Sequence, residues 1–174
     1  MKPKIEKSES IYEGFCDIRK DTLKNHKGDI GTYMVISAKA HAVCVLAQDD
    51  VGRFLINKEY RHPIGRYLFT CPGGRIEQNE EPEKAAAREL LEETGYTSSS
   101  FKLLGSFFPL SALCDQKVFL FAAYSIKKTQ DPKLESFEFI EPTLISKDTL
   151  FQELKNGVEI DSALAAGLLY SSIL

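Results

Sequence analysis

The sequence predicts an α/β fold, a mixed sheet flanked by helices. Three observations predict it. Short apolar runs bounded by turn residues recur between residues 31 and 126. One helix-forming stretch, from Pro82 to Thr94, sits in their midst. The tail from Leu150 onward changes to helical spacing. A chain of 174 residues is long enough for one sizeable core.

Taken in order, residues 1–10 are polar and read as loose. Residues 11–20 and 31–37 read as two paired strands, joined by a turn around Asn25-His26-Lys27-Gly28. His41–Ala47 is a short apolar run. Asp49-Asp50-Val51-Gly52 then reads as a hairpin turn, and Arg53–Lys58 as the returning strand. Tyr67–Cys71 is a further strand, stopped by Pro72-Gly73-Gly74. Pro82 suits a first helical position, with Glu80, Glu81 and Glu83 around the helix start. Gly95 suits the end of that helix, and Ala85, Ala86 and Leu90 its packing side. Phe101–Phe108 and Val118–Ile126 are rich in β-favouring residues, and Phe137–Glu141 is a short strand candidate. Leu150, Phe151 and Leu154 share one face of a helix that Gly157 stops. Asp161 is placed to cap a last helix carrying Leu164, Leu168 and Leu169.

Composition narrows the function classes. Apolar residues make up 43% and charged residues 27%, the balance of a soluble globular protein, and the net charge is −3. Neither a nucleic-acid-binding tail nor a basic membrane patch is present. Positive charge does gather near the middle, at Arg53, Lys58, Arg61, Arg66, Arg75, Lys84 and Arg88, where an anionic ligand could be held. Cys16, Cys44, Cys71 and Cys114 form no CxxC pair and read as free thiols in a reducing cytoplasm. The basic N-terminus lacks the apolar run of a secretory signal, and no apolar stretch approaches the ~20 residues that span a bilayer.

The chemistry concentrates between Gly74 and Tyr96. Glu89, Glu92 and Glu93 are three and four residues apart and project from one side of a helix. Like charges so placed repel, whereas a helix needing only solubility would interleave lysines. A divalent cation among them removes the conflict, and an all-oxygen set suits Mg²⁺ or Mn²⁺. Glu89 and Glu93 are the expected ligands, with Glu92 sharing a second ion. Arg88 is expected to orient a carboxylate and Glu80 to support the loop, while Glu77 and Glu83 read as solvated charges. His26, His41 and His62 show no metal spacing.

Gly74, Glu80, Arg88, Glu89, Leu90, Glu92, Glu93 and Gly95 fall in register with the Nudix signature, and the stretch resembles that family. Tyr96 departs from it where an aliphatic residue is usual. A second segment, Glu59-Tyr60-Arg61-His62-Pro63-Ile64-Gly65 running on to Pro72-Gly73-Gly74, is similar to the corresponding segment of the ADP-ribose pyrophosphatases in that family. The resemblance spans roughly residues 11–170. It implies an α/β/α sandwich with a small N-terminal antiparallel β arm, giving residues 1–40 as the arm and 41–174 as the catalytic domain. It implies a homodimer in which the arm packs on a second subunit. It also implies that the Gly73 carbonyl helps bind the metal, and that Arg61 and Arg66 touch the substrate's phosphates or terminal sugar, a contact that suits an arginine fork. A further glutamate beyond the last long strand is expected to act as a base or as a metal-site group. Glu135, Glu138 and Glu141 are the candidates, and Glu138 is the one assigned.

The expected reaction is Mg²⁺-dependent hydrolysis of a nucleoside-diphosphate sugar, ADP-ribose or a relative of it, to a nucleoside monophosphate and a sugar phosphate. Catalysis is assigned to Arg88, Glu92, Glu93 and Glu138, and metal binding to Gly73, Glu89, Glu92 and Glu93. Leu110-Ser111-Ala112 stands where dedicated ADP-ribose hydrolases carry Ser-Pro-Gly, which favours broader specificity. The alternatives are a ligand sensor without activity, which the intact glutamates disfavour, and a nucleoside-triphosphate hydrolase, which the arm and the Tyr60–Pro63 segment disfavour.

Overall fold

The computed structural model describes residues 1–173, so Leu174, the last residue of the predicted catalytic domain, lies outside the described residues. The chain divides into two compact units. Met1–His41 with Phe108–Lys117 form the first; Ala42–Phe107 and the chain from Val118 onward form the second.

The first unit is a three-stranded antiparallel sheet of β1 (Lys4–Tyr12), β2 (Cys16–Lys24) and β3 (Ile30–Ala38), in that order. The N-terminal residues are therefore not loose. They carry no apolar face to betray a strand, yet a ladder from Lys4↔Lys24 to Tyr12↔Ile18, shifted in register after Ile5 and after Ser10, pairs their backbone. Ser8 Oγ donates to the buried Asp21 carboxylate at 2.6 Å, and Arg19 Nε donates to it at 3.1 Å. The expected first strand is thereby displaced. Residues 11 and 12 close β1, and the partner of β3 begins at Cys16. The turn at Asn25–Gly28 forms as its residues dictate, with Asn25 Oδ1 accepting from the Lys27 and Asp29 amides at 2.8 and 3.0 Å. Phe108–Lys117 docks beside β3. Asp115 accepts from Ser37 Oγ at 2.6 Å and from the Ala38 amide at 2.8 Å. Within this segment Leu110-Ser111-Ala112 forms an exposed turn, closed by the Leu113 and Cys114 amides on the Leu110 carbonyl.

The second unit contains β4 (Ala42–Gln48), β5 (Phe54–Arg61), β6 (Arg66–Thr70), α1 (Pro82–Thr94), β7 (Tyr96–Thr97), β8 (Phe101–Phe107), β9 (Val118–Ala123), β10 (Lys127–Lys128), β11 (Ile140–Ile145), α2 (Lys147–Lys155) and α3 (Ser162–Ile173). Its main sheet runs β11-β5-β4-β9-β8, with β6 also paired to β5. β4 and β9 are parallel and the other pairings antiparallel, so the sheet is mixed. Alternation along the strands divides the core in two. Val43, Val45, Ala47, Leu55 and Phe121 pack with Ala85, Ala86 and Leu90 of α1. Cys44, Leu46, Phe54, Ile56 and Leu120 pack with Leu150 of α2 and Leu164 of α3. The result is an α/β/α sandwich in which each fully buried leucine contributes about 1.5–3 kcal/mol. Cys44 and Cys71 are buried free thiols in the second cluster.

The strand expected over Phe137–Glu141 begins instead at Ile140. Glu135 and Glu138 close a turn first: the Glu138 amide bonds the Glu135 carbonyl, and the Glu135 amide bonds Glu138 Oε2 at 2.8 Å. Phe137 is left 90% exposed at its tip.

Helix α1, which carries the glutamates, is fixed at both ends. Ala85–Arg88 and Leu90–Leu91 are strong helix formers, and Pro82 opens the first turn. Gly95 ends it in the left-handed region at φ 75°, its amide bonding the Leu91 carbonyl at 2.8 Å. A Cβ at Gly95 would collide with the Gln130 carbonyl. Gly95→Ala therefore meets both backbone strain and a clash, and is expected to lower unfolding stability by about 1–3 kcal/mol in chemical denaturation. A loss below 0.5 kcal/mol would show that the end of α1 is not fixed by this glycine.

Candidate active site

The Pro72–Arg75 loop lies along β4. The Val45 amide bonds the Pro72 carbonyl at 2.8 Å, and the Val43 amide bonds the Gly74 carbonyl at 2.9 Å. Gly73 faces the other way, its amide donating to Glu93 Oε2 at 2.9 Å. Both glycines are demanded by close approach. A Cβ at Gly73 would run into the Val43 backbone, and one at Gly74 into the Glu89 carboxylate.

Glu93 is 6% exposed. A second donor, Asn57 Nδ2 of β5, reaches the same Oε2 at 2.9 Å. Burial drives the Glu93 carboxyl well above the ordinary range; the Gly73 hydrogen bond opposes this, while Glu59, Glu89 and Glu138 reinforce it. Glu89 is raised for the same first reason, burial, against the pull of Arg88 and with added repulsion from Glu92 and Glu138.

Arg88 holds the neighbouring carboxylates. Its Nε and one terminal nitrogen bond the two oxygens of Glu80 at 2.9 and 3.0 Å. Its other terminal nitrogen bonds Glu89 Oε1 at 2.8 Å and Glu92 Oε2 at 3.0 Å. The Arg75 carbonyl accepts a further bond at 3.0 Å. Glu80 in turn accepts the Glu77 amide at 2.9 Å, which ties the loop to the helix. The helix places Arg88, Glu89 and Glu92 within reach because they are one and four residues apart.

Glu138 comes to the same place from the Thr129–Phe139 loop. That loop is pinned to the C-terminal end of α1 by Thr129 on the Gly95 carbonyl (2.9 Å) and Lys133 on the Glu92 carbonyl (2.7 Å). It is pinned to β5 by Tyr60 on the Phe139 carbonyl (3.1 Å). Glu138 stands close enough to Glu59, Glu89 and Glu93 to raise the proton affinity of all three. Glu135 remains exposed, and Glu141 pairs loosely with Lys58 at 3.5 Å.

Arg61 joins through Glu59. Its guanidinium bonds Glu59 Oε1 at 2.6 Å and lies 4.0 Å from Asp161, which accepts Thr70 Oγ1 at 2.8 Å and caps α3 through the Leu164 amide at 2.9 Å. Arg66 does not join. It forms a two-pronged, exposed ion pair with Glu159 at 2.9 and 3.0 Å.

Three members of this site escaped the sequence reading: Asn57, Glu59 and the Asp161 link to Arg61. Asn57 and Glu59 stand at inward positions, in phase with Leu55 along β5. A polar residue at an inward strand position was the available signal.

The donors fit a hard divalent cation in kind, being carboxylate oxygens and a backbone carbonyl, two of the carboxyls buried against their own charge. Among the described residues no three His, Cys, Asp or Glu side chains stand ready-arranged as a metal group. Arg88 engages one oxygen of Glu89 and one of Glu92, so a cation would share these carboxylates with it through their remaining oxygens.

The NUDIX domain model matches residues 38–165. The chain belongs to the Nudix family and is a Nudix hydrolase. It is 31% identical over 130 residues to an ADP-ribose pyrophosphatase of Bacillus subtilis, covering 74% of this chain and 70% of that one. It is 26% identical over 166 residues to a methanol dehydrogenase activator of Bacillus methanolicus, covering 94% and 89%. A crystal structure described as an ADP compounds hydrolase shares the fold, with TM-score 0.87 and 17% identity over 99% of this chain and 93% of that one.

The Arg88–Glu80 pair holds the Glu80 carboxyl below its ordinary 4.5, the side-chain hydrogen bond from Arg88 being the largest cause. A depressed carboxyl adds stability above 4.5 and loses it as pH falls through the lowered value. Glu80→Gln is expected to cost about 1–2 kcal/mol at pH 7, or a few degrees in Tm. The gap should close as pH drops below 4.5. Thermal melts from pH 7 to pH 3 check this; a gap that widens toward acid would remove the pair from the ledger of stabilising contacts.

Proposed function

We propose that this protein is a divalent-cation-dependent pyrophosphatase of nucleoside-diphosphate sugars, ADP-ribose among them, releasing a nucleoside monophosphate and a sugar phosphate. The observation that carries the reading is the approach of the Glu89 and Glu93 carboxylates to the Gly73-Gly74 loop, with Arg88 holding Glu80, Glu89 and Glu92. The names of the Bacillus subtilis relative and of the fold neighbour support the substrate class.

Glu89, Glu92, Glu93 and the Gly73 carbonyl would hold Mg²⁺ or Mn²⁺. Such an ion supplies charge neutralisation on the diphosphate and acidifies a bound water. The chain's own residues do the rest. Arg88 keeps Glu89 and Glu92 in place on the helix face. Glu138 stands over the carboxylates as a base or a further cation-site group. Arg61, its fork already oriented by Glu59, grips phosphate oxygens; Arg66, which stands outside this cluster on the β5–β6 hairpin, would contact the substrate only by exchanging its pair with Glu159. The protein acts as a cytoplasmic homodimer on small molecules, with no nucleic acid or membrane partner. Among the described residues no helix is long and apolar enough to cross a membrane.

Glu93→Gln keeps shape and removes charge. It is expected to cut kcat by on the order of 10²-fold while the protein stays folded, and EDTA should abolish turnover. Normal turnover in either case would sink the site assignment. Across ADP-ribose, ADP-glucose, GDP-mannose and UDP-glucose, the Leu110-Ser111-Ala112 turn leads us to expect at least one other sugar nucleotide within about 10–200-fold of ADP-ribose in kcat/KM. A preference above roughly 10³-fold over all others would place specificity elsewhere. Sedimentation of a fully active monomer at micromolar concentration would refute the dimer.

A further inference from the structure

We infer that Asn57 is a positioning residue that aims the Glu93 carboxylate for the reaction. The inference rests on the functional reading above, and no signature residue of the helix reports it.

Asn57 is fully buried, and it lies on the α1 face of β5, in phase with Leu55 and Glu59. Its backbone is braced on both sides, opposite Thr70 of β6 and Pro142 of β11. The side chain is therefore presented from a strand flanked on both sides. Nδ2 donates to Glu93 Oε2 at 2.9 Å, while among the described residues no hydrogen-bond partner meets the buried Oδ1. A buried carbonyl left unpaired is unfavourable, and an apolar side chain of similar size would remove that cost. What an apolar residue could not supply is the donor to Glu93.

That donor acts together with a second. Asn57 Nδ2 and the Gly73 amide both end on Oε2, each at 2.9 Å. Two donors from different elements on one oxygen fix the carboxylate's rotation, not merely its location. Neither donor ends on Oε1. The node joins three elements, strand β5, the Pro72–Arg75 loop and helix α1, so Glu93 is held relative to the sheet and not only to its own helix. Partners behind a ligand-bearing carboxylate characteristically change cation affinity or activity by about 10–100-fold when removed.

The test uses Asn57→Val, which removes both polar atoms, and Asn57→Asp, which keeps the shape and replaces the donor with an acceptor. Both are combined with Glu93→Gln. Mn²⁺ binding is read by the electron paramagnetic resonance of free Mn²⁺, turnover by sugar-nucleotide hydrolysis, and folding by thermal melting. Asn57→Val is expected to melt cooperatively within a few degrees of the parent. Its kcat should fall about 10–100-fold, KM should hold within about threefold, and Mn²⁺ should bind about tenfold more weakly. Asn57→Asp should lose at least as much, and it carries the test alone if Asn57→Val does not fold. Added to Glu93→Gln, either substitution should cost less than about twofold further, since the residue it positions is already disabled. Parent-like kcat and Mn²⁺ affinity in Asn57→Asp would overturn the inference. So would an equal loss in the presence and absence of Glu93→Gln, because Asn57 would then act through something else. An active wild-type protein with unaffected Asn57 variants overturns this inference alone. A wild-type protein that neither binds Mn²⁺ nor cleaves any sugar nucleotide overturns the functional reading and this one with it.

Discussion

Burial of the Glu93 carboxylate is the constraint on which the rest of the site depends. A charge taken from water into a sheet–helix interface is unfavourable by several kcal/mol unless donors replace the lost solvent. Two donors do so here, the Gly73 amide and the Asn57 amide, from a loop and a strand that are far from α1 in sequence. The need for those donors explains much of the local architecture. Residue 73 must lack a Cβ so that the loop can lie against β4 while turning its amide to the helix. The helix must stop sharply at Gly95 so that the chain can pass Gln130.

Around that buried charge the protein gathers further carboxylates where repulsion should scatter them. Arg88 is the counterweight on the helix. One guanidinium spans Glu80, Glu89 and Glu92 and also the Arg75 carbonyl, so loop and helix are tied together. Its planar, multi-donor geometry is what allows a single cation to serve three acids; a lysine could not bridge them in fixed directions. Among the described residues Glu59, Glu93 and Glu138 share no such common partner, and of the three Arg61 pairs with Glu59. The remaining imbalance is what a hard cation would relieve, and it is why a site of this composition is better suited to binding an ion than to stabilising a fold.

Much of the second unit was legible in the sequence because it rests on local rules. Short apolar and β-favouring runs between turn residues marked β4, β5, β8 and β9, and Pro82 and Gly95 bracketed α1 to the residue. Asp161 was recognisable as a cap, and it caps α3. The first unit was harder to read. β1 is polar on both faces, and only the backbone ladder with β2 makes it a strand. The strand before α2 started late because the Glu135–Glu138 turn takes up residues that composition alone would have given to the sheet.

The sequence by itself determined the helix that bears Arg88, Glu89, Glu92 and Glu93, since spacings of one, three and four residues set a common face wherever that helix docks. It also determined the family, because the glutamates, arginine and bounding glycines are read within one continuous stretch. Only the tertiary structure decided what those residues touch. Asn57 meets Glu93 across 36 residues of chain, Gly73 meets it across 20, and Arg66 finds Glu159 across 93. Periodicity says which side of an element a residue faces, but not which residue of another element will stand opposite. That is set by strand register and by the docking of α1 on the sheet, which arise from packing of the whole core.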